Sequence, residues 1–534
     1  MSGKNYVVAR TGYYEKEVVD YDIQNLKGDV ALHYAFTPDT RIAYTYRVAT
    51  LDNIYQRANR FRLDDYLLQQ HGMTYKSKSL QILGYLNLEN TGKSYNARSM
   101  SENIDRSFKQ DNQWFTDYTN AFNTAVTAGQ SVEQAHHDAR AVSDSGRPVP
   151  GTAEFNSLVG TLSDINNWDM GAALRVKSKM LNVEGQYNLT SQLLAGLKQK
   201  YDMDILVGID HRTYIIVPDG NYFINPEEAN ENITYGKSGG FLQIVKGFGS
   251  KVRVSGTLRA DKNEYYDLKW NPRVTAVYSP SLFHHLRISF QNGFRFPSVF
   301  EAFSNVNSGG VKRVGGLPVM SSGIFENGWI RSSIDRFQAA ILKDVNQNGL
   351  TRDEAIIKNQ ELLVKNDYTY VEPEQIRSLE FGYRGAFLND DLNVDVDFYY
   401  NKYTDFIGQV EMNVPETDNP DSIPFYLADR TKQDRYRMWT NSKTIAYNYG
   451  AGLGISYKLA NYKISGNLTY AKLERKSAND GLEDGFNTPA WIVNASLGNN
   501  NVYRNFGFNF TYRWQDDYYW QSFRVSVKCL PLAM

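Results

Sequence analysis

From about residue 28 to residue 514, apolar and polar positions alternate with a period of two, the pattern of β-strands that turn one face to water and the other away from it. Val30, Leu32, Tyr34 and Phe36 alternate with Asp29, Ala31, His33 and Ala35, and Leu392, Val394, Val396 and Phe398 alternate with Asn393, Asp395 and Asp397. The same holds for Leu379, Phe381, Tyr383 and Phe387, and for Phe506, Phe508, Phe510, Tyr512 and Trp514. Strands are expected to begin near 28, 41, 61, 80, 172, 194, 239, 251, 266, 285, 376, 392, 436, 462, 489 and 505, about sixteen in all. No fixed-period repeat accompanies them, which excludes a propeller or solenoid.

The connections between these strands alternate in length. Tight turns fall at 37–40, 76–79, 188–191, 248–250, 279–281, 389–391, 458–461 and 499–504, and longer loops at about 50–60, 96–171, 218–238, 295–375, 412–435 and 476–488. The polar face carries more charge than the interior of a soluble sandwich tolerates. Charged inner positions, an apolar outer face and loops sorted by length onto two rims predict an all-β chain. Its expected form is a transmembrane antiparallel β-barrel with short periplasmic turns and long extracellular loops, closed so that no backbone group is left unpaired in lipid. Many strands exceed the roughly 9–11 residues needed to cross and should project on the loop side. Two loops carry helical periodicity: Asp111 to about Val142, broken at Gly129, and Ile334 to about Val364.

Composition sharpens the picture. Aromatic residues make up 14% of the chain, with 38 Tyr, a residue whose apolar ring and polar tip suit a membrane–water boundary. The net charge of −1 shows neither a basic nucleic-acid footprint nor an acidic tail, and no apolar run approaches the roughly 20 residues of a spanning helix. A single cysteine, Cys529, excludes an intrachain disulfide and Cys-based metal centres. No secretory signal opens the sequence, so the chain is expected to be cytoplasmic or an excerpt of a longer precursor.

Motifs for chemistry are few. Asp344-Val345-Asn346-Gln347-Asn348-Gly349 matches the first half of a calcium loop, but position twelve is Ala355 with Glu354 one residue early; a shortened Ca²⁺ loop stands beside an Asn-rich turn between helices. His136-His137-Asp138 has no third ligand at helical spacing and is expected on a solvated face. The glycines of Ser308-Gly309-Gly310-Val311-Lys312 and Gly315-Gly316 lack the rest of a phosphate loop. No nucleophile elbow, zinc-protease helix or Cys-His pairing exists, so no enzyme, resident metal or cofactor is expected.

Four segments, in order, resemble the barrel of TonB-dependent outer-membrane receptors, most of all the forms common in the Bacteroidetes. Phe294-Arg295-Phe296-Pro297-Ser298 resembles the family's F-R-x-P-[ST] segment. Val371-Glu372-Pro373-Glu374 with Ser378-Leu379-Glu380-Phe381-Gly382-Tyr383 resembles L-x-P-E-x-x-x-S-x-E-x-G-Y. The strand Tyr399 to Ile407 resembles Y-x-x-x-Y-x-D-x-I, and Asn487-Thr488-Pro489-Ala490-Trp491 the N-x-P-x-[HW] turn.

The resemblance implies about 16 of the 22 strands of a full receptor, without signal peptide, plug or closing strands. Residues 1–27 are then a barrel remnant or lead-in, 28–520 the barrel, and 521–534 an atypical tail consistent with a truncation or shifted frame. It further implies active uptake of a scarce ligand of the siderophore, cobalamin or glycan class across the outer membrane. The implied partners are outer-membrane lipid, the TonB-ExbB-ExbD complex acting through a plug, a small-molecule or glycan ligand and a surface lipoprotein, with no nucleic acid. Loop aromatics Trp114, Phe115, Tyr118, Trp329 and Tyr368 are the expected ligand contacts. Neither a basic funnel nor an aromatic platform dominates the loops. The alternative readings are a passive porin or adhesin-like barrel, and a soluble carbohydrate-binding β-protein.

Overall fold

The computed structural model describes residues 6–56, 60–228, 231–307, 310–475, 487–522 and 525–533. Ser308 and Gly309 of the glycine-rich segment, most of the last expected loop and Phe523 of the tail lie outside the described residues. The main sheet has eighteen strands, of which two are two-residue pieces and the rest form one continuous wall. In chain order the wall is β1 (Gln24–Thr37), β2 (Thr40–Gln56), β3 (Arg60–Lys76), β4 (Leu80–Asn90), β5 (Lys177–Asn188), β6 (Met203–Val217), β7 (Ile233–Phe248) and β8 (Val252–Asn263). It continues through β9 (Tyr266–Ser281), β10 (His284–Arg295), β11 (Glu374–Phe387), β12 (Leu392–Thr404), β13 (Ala446–Leu459), β14 (Tyr462–Arg475), β15 (Trp491–Tyr503) and β16 (Phe506–Gln515). Each strand pairs antiparallel with the next, and β1 has no second partner among the described residues. Leu532–Ala533 extends the β16 edge, and within the tail Tyr518–Ser522 pairs with Val525–Cys529.

Registers place like with like on each face. Leu286, Tyr383, Val396, Leu453, Leu468 and Val493 form one row across six strands, while His285, Arg384, Asp395, Gly454, Asn467 and Asn494 form the neighbouring row on the opposite face. The apolar face is open: Val30, Leu32, Tyr34 and Phe36 of β1 are 58–64% exposed. In water that would be an aggregation surface. Against hydrocarbon each such side chain contributes about 1.5–3 kcal/mol, so the wall is built for a bilayer. The opposite face is ion-paired: Arg259 Nη2 lies 2.6 Å from Asp210 and 2.7 Å from Asp261, whose Oδ2 accepts from Asn271 at 3.0 Å.

Three expectations need correction. No strand starts near 194; Asn188 caps a short 3-10 turn, the helix Ala195–Tyr201 follows, and β6 begins at Met203 after Asp202 adopts a left-handed φ of 47°. The strand expected near 436 is Gln433–Asn441, which pairs with Ile407–Pro415 in a second sheet above the wall, so the next wall strand starts at Ala446. The expected loop 50–60 is mostly strand, because β2 and β3 run for 17 residues each, past the roughly 9–11 that cross a membrane. Ahead of β1, residues 6–23 cross the loop-side helices, where Val18 and Val19 pack with Met100, Ile104 and Phe155.

Candidate functional site: a cationic face in the loop-side cap

The loops after β10 and β12 build a five-stranded sheet in the order Asn305–Asn307, Lys312–Val314, Gln433–Asn441, Ile407–Pro415, Trp329–Ile330. The central hairpin forms because Val410, Met412 and Met438 alternate with polar residues and reach 0–1% exposure against Val314, Phe325 and Tyr368. Alternation then fixes the other face. Arg313 stands beside Arg437, which stands beside Glu411; Arg435 pairs with Asn413, which pairs with Trp329.

The charges on that face do not balance locally. Arg437, 4% exposed, is ion-paired with Glu411. Arg331, at the start of the helix Arg331–Asn348, holds Asp335 at 2.7 Å, and one terminal atom of the Asn413 amide lies 3.0 Å from its Nη1 and 2.5 Å from Gln433 Oε1. Gln433 in turn donates to the carbonyls of Tyr426, Leu427 and Asp429, which makes the support rigid. Arg430 donates to Gln338 at 3.1 Å. The Arg435 side chain makes no hydrogen bond or ion pair among the described residues. Burial and the neighbouring Arg331 and Arg430 push its guanidinium pKa down against the pull of Glu411 and Asp335. An unpaired, half-buried guanidinium held between two others is costly unless an anion joins it. On the same face the buried Nε1 of Trp439 has no acceptor among the described residues, and its ring stands edge-on to Phe300 at 6.3 Å. The arrangement offers a planar, multidentate site for a carboxylate, catecholate or phosphate-bearing ligand.

The expected loop aromatics are distributed differently. Trp114 (0% exposed) and Tyr118 (2%) are core residues of the helical pair Asp111–Thr127 and Val132–Ser143, packed with Phe122, Ala135 and Ala139. Trp114 Nε1 donates to Asp144 at 2.8 Å, and Arg10 and Arg140 lie over its ring, so neither residue presents a ring to a ligand. Phe115, one position on, is 39% exposed. Tyr368 lies in the cap core with Lys443 over its ring at 4.7 Å. Trp329 alone of the five shares the cationic face, by its register with Asn413.

The two candidate metal motifs also change. His136 is packed among Tyr6, Phe122 and the Tyr118 hydroxyl rather than solvated, while exposed His137 pairs with Asp138 at 3.1 Å. Asp344 to Asn348 is helix, ended by Gly349 at φ 68°. The Asp344 carboxylate is engaged by Asn359, Lys358 and Asn348, which hold its pKa at about 2; it closes a helix hairpin and leaves no open calcium loop. The arginines of the cap were missed because only the Arg435-Tyr436-Arg437 alternation hints at them in sequence, and Arg313 and Arg331 join through folding.

Below the helices Ala97–Phe108 and Ala153–Asp164, the polar side of β1 to β6 lines a cavity of about 750 Å³, with Lys27, Asp29, Arg47, Gln70, Asn87 and Glu89 around it. Arg47, Gln70 and Asn87 are joined by hydrogen bonds of 2.8 Å. The polar wall therefore continues up to the cap as a wet surface.

Comparisons with known proteins agree with the fold. The chain resembles a mutant of the ferric enterobactin receptor PfeA from Pseudomonas aeruginosa at 14% identity and TM-score 0.54, over 96% of this chain and 61% of that one. It resembles the FrpB iron transporter from Neisseria meningitidis at 11% identity and TM-score 0.53, over 96% and 64%. A third likeness, to the siderophore receptor PirA from Acinetobacter baumannii, has 10% identity and TM-score 0.53, over 96% and 63%. At these identities the likeness is one of fold, and the chain spans less than two thirds of each neighbour's length. No curated protein matches the chain. The family model described as TonB dependent receptor-like, beta-barrel matches residues 9–526, and the chain belongs to that family of bacterial outer-membrane barrels.

Proposed function

We propose that the chain is the barrel portion of a receptor for active uptake of a scarce, anionic metal chelate of the siderophore class. The observation that carries this reading is Arg435, half-buried near Arg331 and Arg430 with no side-chain partner among the described residues, on a face that also holds Arg313 and Arg437. A neutral glycan or a cobalamin gains little from such a face, whereas a polyanion neutralises it. The neighbours named for ferric enterobactin, iron and siderophores support the same class. Coupling in this reading runs from TonB-ExbB-ExbD through a plug seated against the polar wall, with Arg47, Asp210, Arg259 and Asp261 among its contacts, and Phe115 and Trp329 are the loop aromatics offered to ligand or partner. The chemistry is binding and release, with no bond made or broken by the protein.

The test is equilibrium binding to outer membranes bearing the protein, using ferric enterobactin as the polyanionic probe, cyanocobalamin as the second class and maltoheptaose as the neutral glycan. Saturable binding of the ferric chelate that falls about tenfold or more in R435Q supports the reading, since one charge-assisted hydrogen bond contributes about 1.5–3 kcal/mol. Preferential binding of cobalamin or glycan, insensitive to R435Q, overturns it.

A further inference from the structure

A second constellation lies outside the barrel and stands independently of the ligand reading. On the lipid-facing side of β12, β13 and β14, near the loop end, a groove of about 400 Å³ is lined by Phe398, Tyr400, Tyr449, Ala451 and Tyr470. Register explains its shape. Phe398, Ala451 and Tyr470 form one row, so a methyl sits between two rings that are two strand spacings, about 9.6 Å, apart. Tyr400 and Tyr449, stacked with centroids 6.5 Å apart, form the next row toward the loops. Phe398 and Tyr400 are 50% and 48% exposed, so the slot opens to the bilayer. Its dimensions suit one hydrocarbon chain.

The charges directly above complete the site. The outward face of β12 is apolar at Leu392, Val394, Val396, Phe398 and Tyr400, and its first charge is Lys402. Nine residues at about 3.3 Å, tilted about 40°, span about 23 Å, which is the height of the apolar band of such barrels. Lys402 therefore stands at the headgroup level. Arg377 pairs with Lys402 across the ladder and shares the outward parity of Leu379 and Phe381, and Lys472 pairs with Tyr449. Neither the Arg377 nor the Lys402 side chain has a hydrogen bond or ion pair among the described residues. Glu474 is the one carboxylate in these rows; it is paired with Lys472 and accepts from the Tyr449 hydroxyl at 2.9 Å. Three cations against one anion, at the head of an aromatic slot, leave charge for more than one phosphate.

We propose that this groove is a specific site for one lipid of the external leaflet, the bisphosphorylated glycolipid lipid A: an acyl chain lies in the slot between Phe398 and Tyr470, and its phosphates meet Arg377, Lys402 and Lys472. The loop-side height selects the external leaflet, and the surplus of cations selects a bisphosphorylated head over a singly charged glycerophospholipid.

The protein extracted from outer membranes in detergent is examined by native mass spectrometry with added bisphosphorylated lipid A, its dephosphorylated form and phosphatidylglycerol. One lipid A is expected to be retained per chain, with the other two lipids retained at least tenfold more weakly. R377Q/K402Q/K472Q is expected to lose about tenfold through the head, and A451F a similar amount through the slot. K458Q/K463Q, a cross-strand pair at the turn-side end, should retain lipid A as the parent does. Variants are compared at matched folded fraction, judged by heat-modifiable mobility. Equal retention of phosphatidylglycerol, parental retention by both groove variants, or equal loss in K458Q/K463Q overturns the proposal.

Discussion

Replacing Arg435 by Gln should move two quantities in opposite directions. For the empty protein the guanidinium is a burden chiefly through its burial: it has no ion pair among the described residues, and Arg331 and Arg430 oppose the pull of Glu411 and Asp335. Leaving such a group partly desolvated without a hydrogen-bonding partner costs about 1–3 kcal/mol, and solvent access at this partly exposed position leaves about 0.5–1 kcal/mol of that. R435Q should therefore stabilise the cap by about that amount, seen as slower hydrogen exchange in Gln433–Asn441 and Ile407–Pro415. For the liganded protein the same change removes a charge-assisted contact of about 1.5–3 kcal/mol, taken at its lower end for the same screening, so Kd for ferric enterobactin should rise about ten- to thirtyfold. Titration calorimetry and exchange on the same preparations read both. A slower-exchanging cap with unchanged affinity would show that the cationic face is not the ligand site. A faster-exchanging cap would show that Arg435 has a structural partner and that the electrostatic argument is wrong.

Three further outcomes follow from the same coordinates. R437Q leaves Glu411 without its cation on a face where Arg437 is 4% exposed, so the cap hairpin should lose about 1–3 kcal/mol, read by urea-dependent exchange of Gln433–Asn441. W114A empties a fully buried site and strips the Asp144 bond, which should cost the helical insertion about 3–5 kcal/mol and expose 111–143 to limited proteolysis while barrel heat-modifiability is retained. Asp344 has its pKa depressed to about 2 by Asn359, Lys358 and Asn348, so its contribution to the hairpin Arg331–Asn359 is present above the ordinary carboxylate value of about 3.9 and is lost as pH falls toward 2. Exchange in that hairpin should accelerate over this acid window in the parent and lose its pH dependence in D344N.

The wall was legible in sequence because a lipid-facing sheet must repeat one rule at every strand: apolar outward, polar inward. Leu392 to Phe398 states that rule at every position and Val30 to Phe36 states its outward half, and the start residues of most strands follow from it. Gln433–Asn441 obeys the same alternation for a different reason, since its apolar face meets a protein core at Met412 and Val314 rather than lipid. Period two cannot tell those two solvents apart, which is why the strand was placed in the wall. Trp114, Tyr118 and Phe122 carry helical spacing, and that spacing marked a core face more than a ligand face; their burial against Ala135 and Ala139 is its consequence. The cationic face was invisible for the opposite reason. Arg313, Arg331, Arg435 and Arg437 come from three separate stretches of chain and meet through two pairings that no local pattern encodes, Lys312–Val314 parallel to Gln433–Asn441 and Trp329–Ile330 antiparallel to Ile407–Pro415.

The central claim is that this barrel serves energised uptake rather than passive leakage. The most direct measurement is accumulation of ⁵⁵Fe supplied as ferric enterobactin by cells expressing the intact receptor, with and without a protonophore. The account predicts saturable accumulation that the protonophore abolishes and R435Q weakens about tenfold. Non-saturable entry that survives the protonophore and ignores R435Q would contradict it and make the barrel a passive pore.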